Sequence, residues 1–166
     1  LKRFFLIICL FFICNNIFSQ NVSNKLIKEY EDTLRVIAEQ IMFAKKESDR
    51  IKANNGFIPI LKEVLSFDKS FKYPFDSLET LAILSPEDKS FRLFNWILRK
   101  DNGTYDYFCL IHYNNKKKKK FEIIELFDKS ETIRNEKFED LDSKNWYGAL
   151  YYEIIYIKKS GRKYYT

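Results

Sequence analysis

Any acid–base chemistry of the imidazole type in this chain of 166 residues has to work with one histidine, His112. Nucleophilic catalysis by a Ser-His-Asp or Cys-His set needs an imidazole as base, so any such set would include it. His112 lies in an apolar, strand-like run beside Leu110 and, in the register derived below, across from Leu93. That setting points to a structural histidine with its hydrogen bonds satisfied rather than to a base. Of the three cysteines, Cys9 and Cys14 fall in an N-terminal apolar run and only Cys109 lies beyond it. One thiol and one imidazole are too few for a zinc site, which draws mainly on those two side chains. The stretch DLDSKN at 140–145 lacks the glycine and terminal glutamate of a calcium loop. Nothing singles out two of the 23 acids as a glycosidase pair, and the four glycines form no phosphate-binding loop. The expectation is therefore no assigned catalytic residue, no metal and no cofactor.

Binding chemistry has one suggestive feature. Asn95-Trp96 and Asn145-Trp146 repeat a dipeptide, and Trp96, Trp146 and Tyr147 could stack on sugars or bases. Against this, tryptophans in strands mostly bury their large apolar area in a core. The aromatic content of 17% carries little weight, because AT-rich coding DNA favours Phe and Tyr along with Lys, Asn and Ile. The five consecutive lysines Lys116 to Lys120 would attract a polyanion only as part of a wider patch; alone they read as a solvated loop tip. A nucleic-acid role is not expected, and a protein or glycan partner fits better.

The elements that would position these residues follow from periodicity. Ile27, Tyr30, Leu34, Ile37, Ile41, Ala44, Ser48 and Ile51 recur at steps of three and four, which predicts one amphipathic helix over 22–54, roughly 45 Å long. Lys52 and Asn54-Asn55-Gly56 would end it. The stripe is nearly heptad, so self-association through this long helix is an alternative to packing on the chain's own sheet, although Ser48 interrupts the seam. A short second helix is expected to start around Pro59, with Ile60, Leu61, Val64 and Leu65 on its apolar face.

Beyond Pro74 the period changes to that of strands. Residues 91–100 and 104–113 flank Asp101-Asn102-Gly103, and Asn-Gly is a strong hairpin signal. A two-residue loop there would set Arg99 opposite Asp106, Trp96 opposite Cys109 and Leu93 opposite His112; a three-residue loop would shift every pair by one. Residues 121–127 and 149–158 read as further strands. Around Ser160-Gly161 the same two-residue rule pairs Tyr164 with Ile157 and leaves Ala149 to Tyr152 without a partner on that side. DKS occurs at 68–70, 88–90 and 128–130 in unlike flanks, which marks turns rather than a repeat.

The first twenty residues carry Lys2 and Arg3, an apolar run from Phe4 to Cys14 and a polar end, Phe18-Ser19-Gln20. That is the layout of a secretory signal peptide cleaved near Ser19 or Gln20. The apolar run is shorter than the roughly 17–25 residues of a spanning helix, and Ile13 is too bulky for a lipid-anchor signal at Cys14. Removing residues 1–20 takes away two cations and no acid, so the formal charge falls from +6 to +4.

The segments LSPEDKSFRLFNW (84–96), DNGTYDYF (101–108), NWYGALYYEII (145–155) and GRKYYT (161–166) carry a resemblance. They are similar to a set of secreted Bacteroidota proteins of uncharacterised activity, over roughly residues 75–166. In those proteins a comparable Tyr-Tyr-Thr is followed by Leu-Leu-Gly-Trp-Asp-Gly and further strand. The resemblance implies export to the periplasm or envelope and a C-terminal segment beyond Thr166; it implies no activity. Signals ending in Phe-Ser-Gln also look typical of that group.

The resulting expectation is an α+β domain: signal peptide 1–20, helical segment 21–74, and an antiparallel meander of five or more strands over 75–166, incomplete at its C-terminus. Its role would be non-catalytic binding or structure in the envelope. The alternative is a secreted hydrolase completed by the further C-terminal segment.

Overall fold

A computed structural model of the chain describes residues 23–126, 148 and 153–165. The proposed signal 1–20, DLDSKN, Trp146, Tyr147 and Ala149 to Tyr152 lie outside them. The architecture is α+β, with two helices on one face of an antiparallel four-stranded sheet and a separate two-stranded ribbon. No described helix is long and apolar enough to cross a membrane.

Helix α1 spans Asn24–Phe43 and α2 spans Glu47–Leu65, so the single helix expected over 22–54 is instead a helical hairpin. Ser23 starts α1 by accepting the Leu26 N–H on its hydroxyl at 3.2 Å. Ala44 and Lys46 take extended backbone, with ψ of 138° and 137°, and break the rod. The reason lies in the phase of the apolar stripes. At about 100° per residue, Phe57 and Leu61 on a straight helix would face nearly opposite to Leu34 and Ile41. The turn brings both stripes to one core, where Leu34, Phe57 and Leu61 are fully buried. The stripe expected to offer a coiled-coil seam is therefore occupied within the chain, and Ile51, assigned to it, is 41% exposed.

Arg50 holds the break. Its guanidinium donates to the carbonyls of Ala44 (2.7 Å), Lys45 (3.1 Å) and Arg99 (2.7 Å) and to Asp101 Oδ1 (2.6 Å), which ties the interhelical turn to the end of a strand. The Asn54-Asn55-Gly56 stop and the helix start at Pro59 are also corrected, because α2 runs through both. Asn54 stays helical because its side chain is buried and accepts the Trp96 indole N–H at 2.8 Å. Pro59 removes one backbone donor from the helix, a loss outweighed by the complete burial of Phe57, Leu61, Val64 and Leu65 around it.

A 3₁₀ helix, Asp68–Lys72, follows and leads to strands β1 (Ala82–Leu84), β2 (Phe91–Arg99), β3 (Tyr105–Asn115) and β4 (Lys120–Leu126), in that order across the sheet. Strand β1, only three residues long, is too short to show a strand period. The inner face carries Phe94, Trp96, Leu98 and Leu110 against the helices. On the outer face, Leu93 and Cys109 are covered in part by Ile154. Strands β5 (Tyr156–Lys159) and β6 (Arg162–Tyr165) form their own ribbon. One continuous sheet of five or more strands is thus not what the described residues form.

The β2–β3 register differs from expectation by one residue: Arg99 faces Tyr105, Trp96 faces Phe108 and His112 faces Arg92. Lys100 N–H bonds the Thr104 carbonyl at 2.8 Å, and Gly103 adopts φ of 85°, which makes a three-residue loop with a left-handed glycine. Asp106 pairs with Lys100 at 2.7 Å instead of with Arg99. The β5–β6 ribbon has the expected register, with Ile157 opposite Tyr164 and Ser160-Gly161 both at positive φ. The lysine run forms the β3–β4 turn, where Lys118 reaches Glu122 at 2.9 Å.

Candidate functional site

The start of β2 and the 3₁₀ helix enclose a cavity of about 510 Å³ lined by Lys72, Tyr73, Ser85, Lys89 and Arg92. Strand alternation puts Arg92 on the inner face, two residues before Phe94. It is only 8% exposed, and its guanidinium lies 5.0 Å from the Phe94 ring centre and 5.5 Å from that of Phe75. Nη1 donates to the carbonyls of Ser70 (3.1 Å), Phe71 (3.3 Å) and Tyr73 (2.6 Å), and Nη2 to that of Pro74 (3.1 Å). These bonds gather the carbonyls at the end of the 3₁₀ helix around one cation. Burial draws its pKa down to about 10, partly offset by Asp76, so it remains charged at neutral pH. Phe75, held at φ of 59°, occupies backbone that a bulky residue rarely adopts.

The other walls are fixed with equal economy of parts. Lys89, at φ of 49°, closes a turn on the Pro86 carbonyl at 2.9 Å. Asp88 beside it accepts from Lys163 at 2.6 Å and from the Tyr165 hydroxyl at 3.1 Å, which pins the β5–β6 ribbon to this turn. Lys163 is the main reason its carboxyl is held well below the usual range. The Tyr73 hydroxyl donates to Glu31, which is 2% exposed and also accepts the Ser77 N–H at 2.7 Å. Burial alone would raise the Glu31 pKa; Ser77, Tyr73 and Lys28 together hold it below the usual value. Burial first, then Glu31, pushes Tyr73 up to about 12.

His112 lies across the strand pair from Arg92, fully buried among Phe71, Phe94 and Phe121, with ring centres 5.1, 6.5 and 5.5 Å away. Among the described residues neither ring nitrogen has a hydrogen-bond partner, so the expectation of a satisfied structural histidine is right about burial and wrong about satisfaction. Burial, and then the charge of Arg92, depress its pKa to about 4. Cys109 is 1% exposed, and burial lifts its thiol to about 12. Neither group is placed to act as base or nucleophile near neutral pH. Among the described residues no three His, Cys, Asp or Glu side chains gather as a metal site.

The depressed histidine has a measurable consequence. The unfolded chain takes up a proton on His112 near pH 6.5, while the folded chain does so only near 4. Stability present above pH 6.5 should fall as the pH drops toward 4, by about 3 kcal/mol in all. Urea unfolding at pH 7 and pH 4 checks this, with His112→Phe expected to remove most of that difference.

Trp96 is a core residue. It is 2% exposed, stacks on Phe108 with ring centres 5.5 Å apart, and takes Phe57 edge-on at 5.3 Å. No ring face is left for a ligand, and Trp146 and Tyr147 lie outside the described residues. The cavity residues were missed in the sequence; the available signal was a cation at an inward strand position between apolar neighbours. A larger groove of about 730 Å³ carries Arg35 and Glu39, whose charges pair with each other at 2.7 Å. Comparison with protein-family models, with curated proteins and with solved structures found no match for this chain.

Proposed function

We propose that this chain is an exported, non-catalytic binding module of the periplasm or cell envelope. The observation that carries the non-catalytic part is the enclosure of His112: the sole imidazole is fully buried and holds its nitrogens away from solvent. A general base must reach the proton it removes, directly or through one water, with a pKa near the working pH. His112 meets neither condition. Export is supported by the charge, apolar run and polar end of residues 1–20. The resemblance of residues 75–166 to secreted Bacteroidota proteins supports the same location.

The test is to express the chain with its own N-terminus in a Gram-negative host and recover it from the periplasm. Mass spectrometry should find a mature start just after Ser19 or Gln20. The purified product should turn over no member of polysaccharide, peptide and ester panels. Retention of the uncleaved chain in the cytoplasm would remove the export reading, and turnover abolished by His112→Phe in a folded protein would remove the non-catalytic one.

A further inference from the structure

The cavity beside Arg92 has a charge balance that calls for a ligand, and we infer that it binds a small organic anion through a carboxylate or phosphate group. This rests on the reading of the chain as a binding module and names the class of its ligand. Arg92, Lys72 and Lys89 line one concavity of about 510 Å³, within the size range of small-molecule sites. Neither lysine makes an ion pair among the described residues, and Arg92 meets only carbonyls and rings. An arginine has five N–H donors. The four contacts to carbonyls use Nη1 and Nη2, so Nε has no hydrogen-bond partner among the described residues.

The acids nearby are committed elsewhere or distant. Asp88 is held by Lys163 and Tyr165, and Glu31 by Ser77, Tyr73 and Lys28. Asp76 acts on Arg92 through space without a direct contact. Three cations around one cavity repel each other, and a buried cation without a carboxylate is costly. An anion seated between Lys72, Lys89 and Arg92 relieves both, with the Ser85 hydroxyl available as a further donor.

Backbone amide NMR of the purified chain, titrated with glucuronate, glucose 6-phosphate and neutral glucose, tests the inference. At least one of the two anions should shift Phe71, Lys72, Ser85, Lys89 and Arg92 saturably, and which one does so identifies the headgroup. Glucose should leave these signals in place. Lys72→Ala and Lys89→Ala, both on the rim and neutral for the fold, should each weaken that binding about tenfold. The anion should also raise the thermal midpoint of the unaltered chain and not that of the double variant. No shift with either anion up to tens of millimolar, or shifts that survive both lysine substitutions, would overturn the anion site. Saturable binding of glucose alone, elsewhere on the surface, would also overturn it while leaving a binding module standing. Chemical conversion of an added sugar would instead sink the binding-module reading.

Discussion

Trp96→Ala should destabilise the protein by about 3–5 kcal/mol, the range for truncating a large buried aromatic. The indole is sandwiched between Phe108 from β3 and Phe57 from α2, so its loss opens a void where the helical hairpin meets the sheet. It also removes the hydrogen bond that satisfies Asn54 inside α2. Trp96→Phe separates the two effects: most of the apolar contact remains, and the Asn54 amide oxygen is left buried without its donor, at about 1–3 kcal/mol. Urea unfolding at neutral pH measures both. A loss under about 1 kcal/mol for the alanine variant would mean that the ring is exposed in solution, and the ligand-stacking role suggested by the Asn-Trp dipeptides would return.

Arg50→Met should cost a comparable amount, about 3–5 kcal/mol, because three part-buried carbonyls lose their donor at roughly 1–3 kcal/mol each. Methionine preserves much of the side-chain volume, so the loss reports on the guanidinium. Three carbonyls, of Ala44, Lys45 and Arg99, lose their donor at once. The ion pair to Asp101 contributes little of this, because that carboxylate is 67% exposed. Glu47 continues to accept the Asp101 N–H at 2.5 Å, so the turn is weakened rather than released. The thermal midpoint should drop by roughly 10 °C. Because Arg50 joins the helical hairpin to the β2–β3 turn, hydrogen exchange should quicken at residues 44–50 and 99–104 together. Faster exchange at only one of the two would contradict the clasp.

How much of this was legible in the sequence depended on whether the deciding contact was local. The Ser160-Gly161 register could be read because both residues sit at positive φ in a two-residue turn, a property of the dipeptide itself. Asn102-Gly103 misled by one position because Asn-Gly also serves three-residue loops. There Asp101 joins the loop, and the Asn102 side chain accepts the Thr104 N–H at 2.9 Å. The break after Phe43 was invisible since Arg50, Arg99 and Asp101 meet only in the folded chain. The apolar stripe from Ile27 to Ile41 was correct, and its continuation to Ile51 was not.

The candidate site was harder still. Arg92 is held by main-chain carbonyls, which every residue possesses, so no pattern of side chains announces it. Lys72 and Lys89 reach the same cavity from a 3₁₀ helix and a turn, elements with weak periodicity. His112 was recognisable as structural from its apolar flanks, but its lack of partners follows from Phe71 and Phe121, contributed by distant segments.

The account's central claim is that the only imidazole in the chain belongs to the packed core and is withheld from chemistry. The most direct measurement is a pH titration of the His112 ring nitrogens by NMR between pH 3 and 9. The account predicts a neutral ring throughout the neutral range, with a midpoint near 4 reached only as the protein begins to destabilise. A midpoint at or above 6.5, in a protein that stays folded, would place the ring in contact with water or a carboxylate and contradict the account.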